Sequence, residues 1–419
     1  MQFFKWLSPG LGIKRWIFLC LSGLGLVVVF ALLTVQSLSK ESVLLASITM
    51  ASLIFGIFLI YMGIKNMVRI FVRALVPLDR RDSKLVDIMY QSQQSHSLLK
   101  GPRVVAIGGG TGLSAMLSGI KKFTSNITAI VTVTDTGGSS GRLRDEMDVL
   151  PPGDIRNCLV SLADAGPLIR DLFQYRFEVG EGLKGHSFGN LFITALSKVT
   201  GDFEKAIAES SKVLNIRGRV LPSTLDKVTL VAEFSDGTWI EGETNITDKK
   251  KPIASMRIKP ADCKACAEAV EAILSADIIL MGPGSLYTSV LPNLLIPEIL
   301  QAILKSDASK IYIMNVMTQP GETTEYSASD HLEALVRHTD PRVVDGCFVN
   351  TLAVPAELLA KYAEQGSMPV ELDLEKIEAK GYEILKGPVI STDGQVRHDS
   401  EKLCQILMTH SANKVSAKI

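Results

Sequence analysis

Paired cysteines are almost missing from this sequence. Six are scattered through 419 residues, and only Cys263 and Cys266 form a CxxC. No second pair completes a zinc site, and the surrounding PADCKACAEAVEAIL reads as an ordinary helix. The scatter fits a reducing compartment. Net charge is missing too: 44 basic residues balance 44 acidic ones, which argues against nucleic acid as a partner. No G-x-x-x-x-G-K-[ST] occurs, which excludes a P-loop triphosphatase. There is no internal repeat and no low-complexity tract.

What the chain holds in excess is apolar residues. They make up 47% of it, and the mean hydropathy of +0.24 is high for a wholly soluble protein. The excess lies at the front: no charged residue occurs from Trp16 to Ser39 or from Ser42 to Ile64. At 1.5 Å per residue, each stretch is long enough to cross a hydrocarbon core of about 30 Å. A cleavable signal peptide would leave the second stretch unexplained. Lys5, Lys14 and Arg15 precede the hairpin, and Lys65, Arg69, Arg73, Arg80 and Arg81 follow it. Basic residues favour the cytoplasmic side. The expectation is therefore a two-span protein of the cytoplasmic membrane, with both termini and the globular domain in the cytoplasm. Lys65, Arg69 and Arg73 form one helical stripe, which suits anionic headgroups or plain topology signalling.

The expected division is a transmembrane hairpin over 1–65 (spans near 16–39 and 42–64) and a basic linker over 66–100. An α/β domain follows over 101–400, with an insertion near 215–260, and then a helix end and tail over 401–419. Strands are expected at Val104–Ile107, Ile127–Thr134, Asp277–Met281, Lys310–Val316 and Val343–Val349. Between them lie helices such as Cys263–Leu274, Leu294–Lys305 and Ala328–Arg337. That alternation predicts a parallel sheet covered on both faces. Val228–Glu243 alternates with period two around Asp236-Gly237, a hairpin signal and a small antiparallel insertion. The closing HSANKVSAKI is expected to fray.

Ligands of open α/β sheets bind beyond the carboxyl ends of the strands, and five unusual loops fall there. GGGTG opens a helix whose Leu113, Met116, Leu117 and Ile120 share one face. Gly109, Gly110, Thr111 and Gly112 thus bring bare N–H groups to a helix start, which suits a phosphate. TDTGGSSGRLR supplies Asp135, Gly138, Ser139, Ser140, Gly141 and Arg142. LPPGDIRN supplies Asp154, Arg156 and Asn157. GPGSLYTSVLPN supplies Gly282, Gly284, Ser285 and Tyr287, and NVMTQPGET supplies Asn315. GHSFGN adds His186 and Asn190 beside glycines. Plain structural roles are open as well: Asp135 as a cap, Arg142 and Arg144 as a solvated face, His186 and Tyr287 as satisfied core residues. Three glycine-rich turns at one sheet edge point to an anionic ligand, most simply a nucleotide. Gly110, Gly112 and Ala115 meet the dinucleotide fingerprint only in part, poor support for a dehydrogenase.

Together GGGTGLSAML, TDTGGSSGRLR, LPPGDIRN, GHSFGN, LPST, GPGSLYTSVLPNLL and NVMTQPGET…ASDH resemble the bacterial YvcK, or gluconeogenesis factor, family. The match runs in order from about residue 103 to 400. The resemblance implies a Rossmann-like three-layer core that binds a UDP-sugar, UDP-N-acetylglucosamine above all. It also implies a role in cell shape and wall synthesis during growth on gluconeogenic carbon, with no settled reaction. The residues it carries over are the first glycine loop, the Asp135–Arg142 loop, and Tyr287 with GPGS. Wall-synthesis or regulatory proteins are expected partners, along with self-association into a homo-oligomer. The 2-phospho-L-lactate transferases share this fold, so a magnesium-dependent transferase is the alternative. Asp135 and Asp154 would then be metal ligands and His186 the base. TDTGGSSG and LPPGDIRN both depart from the transferases' pattern.

Overall fold

The computed structural model describes residues 13–37, 43–75, 98–391 and 395–418. Contacts divide the chain into two units, Met1–Gln94 and Ser95–Ile419. The first holds helices Ile13–Ser37 and Val43–Leu75. Within them Arg15–Thr34 and Ser47–Val68, with mean hydropathies of 2.6 and 2.0, are long and apolar enough to cross a membrane. Small residues let these helices touch: a Cβ on Gly23 would lie 2.6 Å from the Gly56 carbonyl oxygen. The second helix runs on to Leu75, so the basic linker begins as helix. Arg80, Arg81 and the rest of 76–97 lie outside the described residues.

In the second unit seven strands form one parallel sheet, ordered β10-β9-β8-β7-β1-β2-β3. These are β1 Val104–Gly108, β2 Ile127–Val131, β3 Arg219–Pro222, β7 Ile278–Met281, β8 Ser309–Ile313, β9 Gly346–Asn350 and β10 Glu383–Gly387. Every residue of β1, β2 and β7 is buried, as in a sheet covered on both faces. The chain builds outward from β1 through β2 to β3, then returns to lay β7 against the other side of β1. The β1/β7 boundary is therefore the topological switch point. Helix Gly110–Ile120 buries Leu113, Met116, Leu117 and Ile120, each contributing about 1.5–3 kcal/mol.

β4 Thr229–Phe234 and β5 Trp239–Glu241 form the expected hairpin, and β6 Ile253–Lys259 adds a third antiparallel strand. The insertion starts later than expected, because residues 219–222 are the edge strand of the main sheet. A two-stranded ribbon, β11 Ile390–Ser391 and β12 Arg397–His398, precedes helix Ser400–Lys418. That helix packs against the first one, with the Cys404 thiol on the Met116 carbonyl at 3.5 Å. It takes up most of the segment expected to fray. The Leu294–Lys305 helix is split, with Pro297 at the first position of its second piece. The Cys263–Leu274 helix begins only at Ala267. Cys263 and Cys266 are 3% and 2% exposed, and burial raises both pKa values, that of Cys266 to about 11. They stay thiols, unsuited to redox exchange.

Candidate functional site

Two glycine turns meet at the switch point. The first, Gly109–Gly112, leaves β1 with Gly110 at φ +65°; the second, Gly282–Ser285, leaves β7 with Gly282 at φ +85°. Gly112 serves a close approach instead of an unusual φ: a Cβ there would lie 2.6 Å from the Pro283 carbonyl oxygen. Asn315, just past β8, locks the second turn. Its Oδ1 accepts from Gly284 N at 3.1 Å, and its Nδ2 donates to the Gly284 carbonyl at 2.8 Å. Beneath the turn the Glu322 carboxylate accepts from the Ser285 hydroxyl and, at 3.1 Å, from Thr288 Oγ1. Burial raises its pKa.

Beside the turns lies a cavity of about 580 Å³. Gly109, Gly110, Thr111, Gly112, Gly284, Ser285 and Asn315 line it, as the sequence led one to expect. Thr318 and Gln319, from the NVMTQPGET loop, also line it, as do Lys250, Arg397 and His398, which sequence reasoning missed. Lys250 comes from the insertion and Arg397 from β12. Nothing local to either marks it, because only the tertiary fold brings these two exposed cations to the glycine turns. The cavity suits an anion bound at its glycine wall.

The other predicted residues brace the site from outside that cavity. Asp135 Oδ1 accepts from Gly137 N at 2.8 Å, ahead of helix Gly138–Met147. Ser139 Oγ bonds His186 Nδ1 at 2.9 Å and accepts from Asn190 Nδ2 at 3.0 Å. Arg156 donates to Ser187 Oγ, to Asn190 Oδ1 at 3.0 Å and to Asn157 Oδ1 at 2.7 Å. These links tie three loops into one buried network. Ser140 packs against Gly153, and Gly141 against the Thr136 carbonyl. Arg142 donates to the Lys184 and Gly182 carbonyls at 2.8 and 3.0 Å, clasping the loop before His186. His186 is 3% exposed, and burial, then Arg142, lower its pKa. Its bond to Ser139 makes it part of that brace.

Tyr287 needs a firmer correction. Its side chain is 0% exposed, its hydroxyl bonds Tyr326 Oη at 2.9 Å, and its ring meets His338 edge-on. A fully buried ring offers no platform to a ligand. Asp154 does approach the site, from behind. A Cβ on Gly109 would lie 2.6 Å from its Oδ2, and it accepts from the Gly110 amide. Burial pushes its pKa up to about 6 against that bond, with help from Asp135. Burial, then Asp135, Glu322 and Asp154, push Glu243 up to about 7. Among the described residues no group of three His, Cys, Asp or Glu side chains is placed to hold a metal ion.

The family model for 2-phospho-L-lactate transferase CofD matches residues 104–390. The gluconeogenesis factor of Bacillus subtilis is 46% identical over 308 residues, 73% of this chain and 97% of that protein. The chain belongs to the gluconeogenesis factor family. A relative from Nostoc sp. is 46% identical over 425 residues, 97% of this chain and 92% of its own length, so its match reaches into the N-terminal helices. A crystal structure of a gluconeogenesis factor relative from Bacillus halodurans superposes with a TM-score of 0.72. It is 49% identical and covers 74% of this chain and 100% of its own. All of that chain is matched by 74% of this one, a share close to the size of the second unit, Ser95–Ile419.

Proposed function

We propose that this protein is a membrane-tethered regulator that binds a UDP-sugar, UDP-N-acetylglucosamine above all, and reports its occupancy to wall-synthesis and metabolic partners. One observation carries the reading: two glycine turns, one locked by Asn315, face a single cavity at the switch point with Lys250 and Arg397 on its rim. With the Gly110 and Gly284 amides already bonded, the helix start at Thr111 and Gly112 and the two cations are what suit a diphosphate. The family name supports a role in growth on gluconeogenic carbon. The test is calorimetric titration of residues 95–419 with UDP-N-acetylglucosamine, UDP and inorganic phosphate. Saturable binding that needs both uridine and sugar is expected, and Arg397→Ala should weaken it about tenfold. Heat no greater than with phosphate alone refutes the reading.

The matched family model favours a second reading, a transferase of phosphorus-containing groups. Magnesium is commonly held by one or two carboxylates plus substrate phosphates. Asp154, behind the first glycine turn, and Asp135, which raises its pKa, fit as that pair. Product formed from the UDP-sugar only with magnesium, and lost in Asp154→Asn, would favour this reading over the regulator.

A further inference from the structure

A second cavity of about 310 Å³ adjoins the first, and Asn315 and Val316 line both. It opens beyond the carboxyl ends of β8 and β9, with Met314, Val349, Val354 and Val370 as its buried apolar floor. Its two asparagines are already occupied. Asn350 is bonded to Leu352 and to Val389 N, and Asn315 holds Gly284. Leu352 and Leu372 stand at the rim, 46% and 38% exposed. One helix, Ala356–Glu364, serves both spaces: Leu359 lines the second cavity and Tyr362 the first. It buries no residue fully and rests on a small apolar cluster of Met317, Val354, Ile390 and Val396, apart from the main core.

We infer that the second cavity is an apolar subsite, and that the pair of cavities takes a phosphate ester of a short hydrocarbon chain, head on the glycine turns and tail against Val349 and Val354. The inference rests on the reading that the first cavity holds phosphates. The space is too small for a peptide helix about 10 Å across. At about 30 Å³ for a water-sized group it admits roughly ten heavy atoms, the length of a geranyl chain. Such a ligand shares the head site with a UDP-sugar, so the two exclude one another. The tail also touches the helix that carries Tyr362, whose hydroxyl accepts from Val396 N at 3.0 Å beside Arg397.

The probes are geranyl monophosphate, methyl phosphate and UDP-N-acetylglucosamine, titrated against residues 95–419. Each buried methylene strengthens binding about fourfold, so geranyl phosphate should bind at least 100-fold tighter than methyl phosphate and should displace the UDP-sugar. Leu352→Asp and Leu372→Asp alter exposed side chains, and thermal melts will confirm that both fold. Each should weaken geranyl phosphate at least tenfold and leave the UDP-sugar within twofold. Geranyl phosphate no tighter than methyl phosphate, or unweakened by both variants, overturns the subsite. Binding without displacement of the UDP-sugar overturns the shared head site. Weakening by the variants in a protein that ignores UDP-N-acetylglucosamine sinks the nucleotide-sugar reading and leaves the subsite standing.

Discussion

Replacing Gly112 by alanine adds one methyl group where two turns touch. Its Cβ would lie 2.6 Å from the Pro283 carbonyl oxygen, 2.9 Å from the Pro283 carbonyl carbon and 3.2 Å from Gly284 N. All three are main-chain atoms and cannot rotate away. The second turn is also held where it is, by Gly282 N on the Ile107 carbonyl at 2.9 Å and by the two Asn315 bonds. Relief requires the turns to part by several tenths of an ångström, a strain of about 1–3 kcal/mol for an overpacked site. Gly110→Ala is the control. Its nearest neighbour would be Ser289 Oγ at 3.7 Å, so only the φ of +65° is strained. That costs about 1–2 kcal/mol, and the stiffer unfolded chain returns about 0.4–1 kcal/mol in both variants alike. Urea unfolding of residues 95–419 should therefore rank Gly112→Ala as the more damaging. Calorimetry should show UDP-sugar affinity falling about tenfold in it, about 1.4 kcal/mol. A Gly112→Ala protein within about 0.3 kcal/mol of wild type, or more stable than Gly110→Ala, would refute the close-approach argument.

Tyr287→Ala should cost about 3–5 kcal/mol of stability, as for other enclosed aromatics; wild-type stability with weakened binding would restore the platform role. Asp154 and Glu243 bind protons more tightly when folded, near 6 and 7 against ordinary values of 3.8 and 4.5. Their ionisation therefore penalises the folded state progressively as pH rises from about 4 to 7. Glu243→Gln should raise the melting temperature at pH 8 and leave it unchanged at pH 4, and a rise equal at both values contradicts the assignment. Diphosphate binding to the wild type should tighten from pH 8 to 6, with a shallower slope in that variant. In cells, a cysteine at Ser37 should react with an impermeant maleimide from outside, whereas one at Leu99 should not; labelling at Leu99 reverses the expected topology.

Local signals carried the fold well. The apolar spacing of Leu113 to Ile120 reports one helix and the alternation around Asp236-Gly237 one hairpin, and each appears as expected. Bounds failed where a neighbour decides them. The β-branched run from Ile127 leaves its ladder after Val131, and Thr132 and Thr134 pair with each other by their hydroxyls at 2.9 Å instead. The site was half legible, because glycine turns announce themselves while burial does not. Tyr287 follows a glycine turn, as a ligand-facing residue would, and only the packing of Tyr326 and His338 around it reveals a core side chain. Lys250 and Arg397 reach the cavity from elements about 140 and 290 residues beyond the first turn in the chain.

The β1/β7 pairing also sets a timetable on the ribosome. Val104 pairs with Ile278, and Arg103 bonds Asp277 just outside that ladder. Some 170 residues must therefore be translated before one edge of β1 finds its neighbour. At about 5–20 residues per second this takes roughly 10–35 s. Throughout that interval the emerged chain presents Val-Val-Ala-Ile-Gly with its main-chain groups unpaired on one side and no charge to repel another strand. Polysomes translating this message hold such edges close together, so chaperone binding should concentrate on nascent chains in which β1 has emerged from the ribosome and β7 has not.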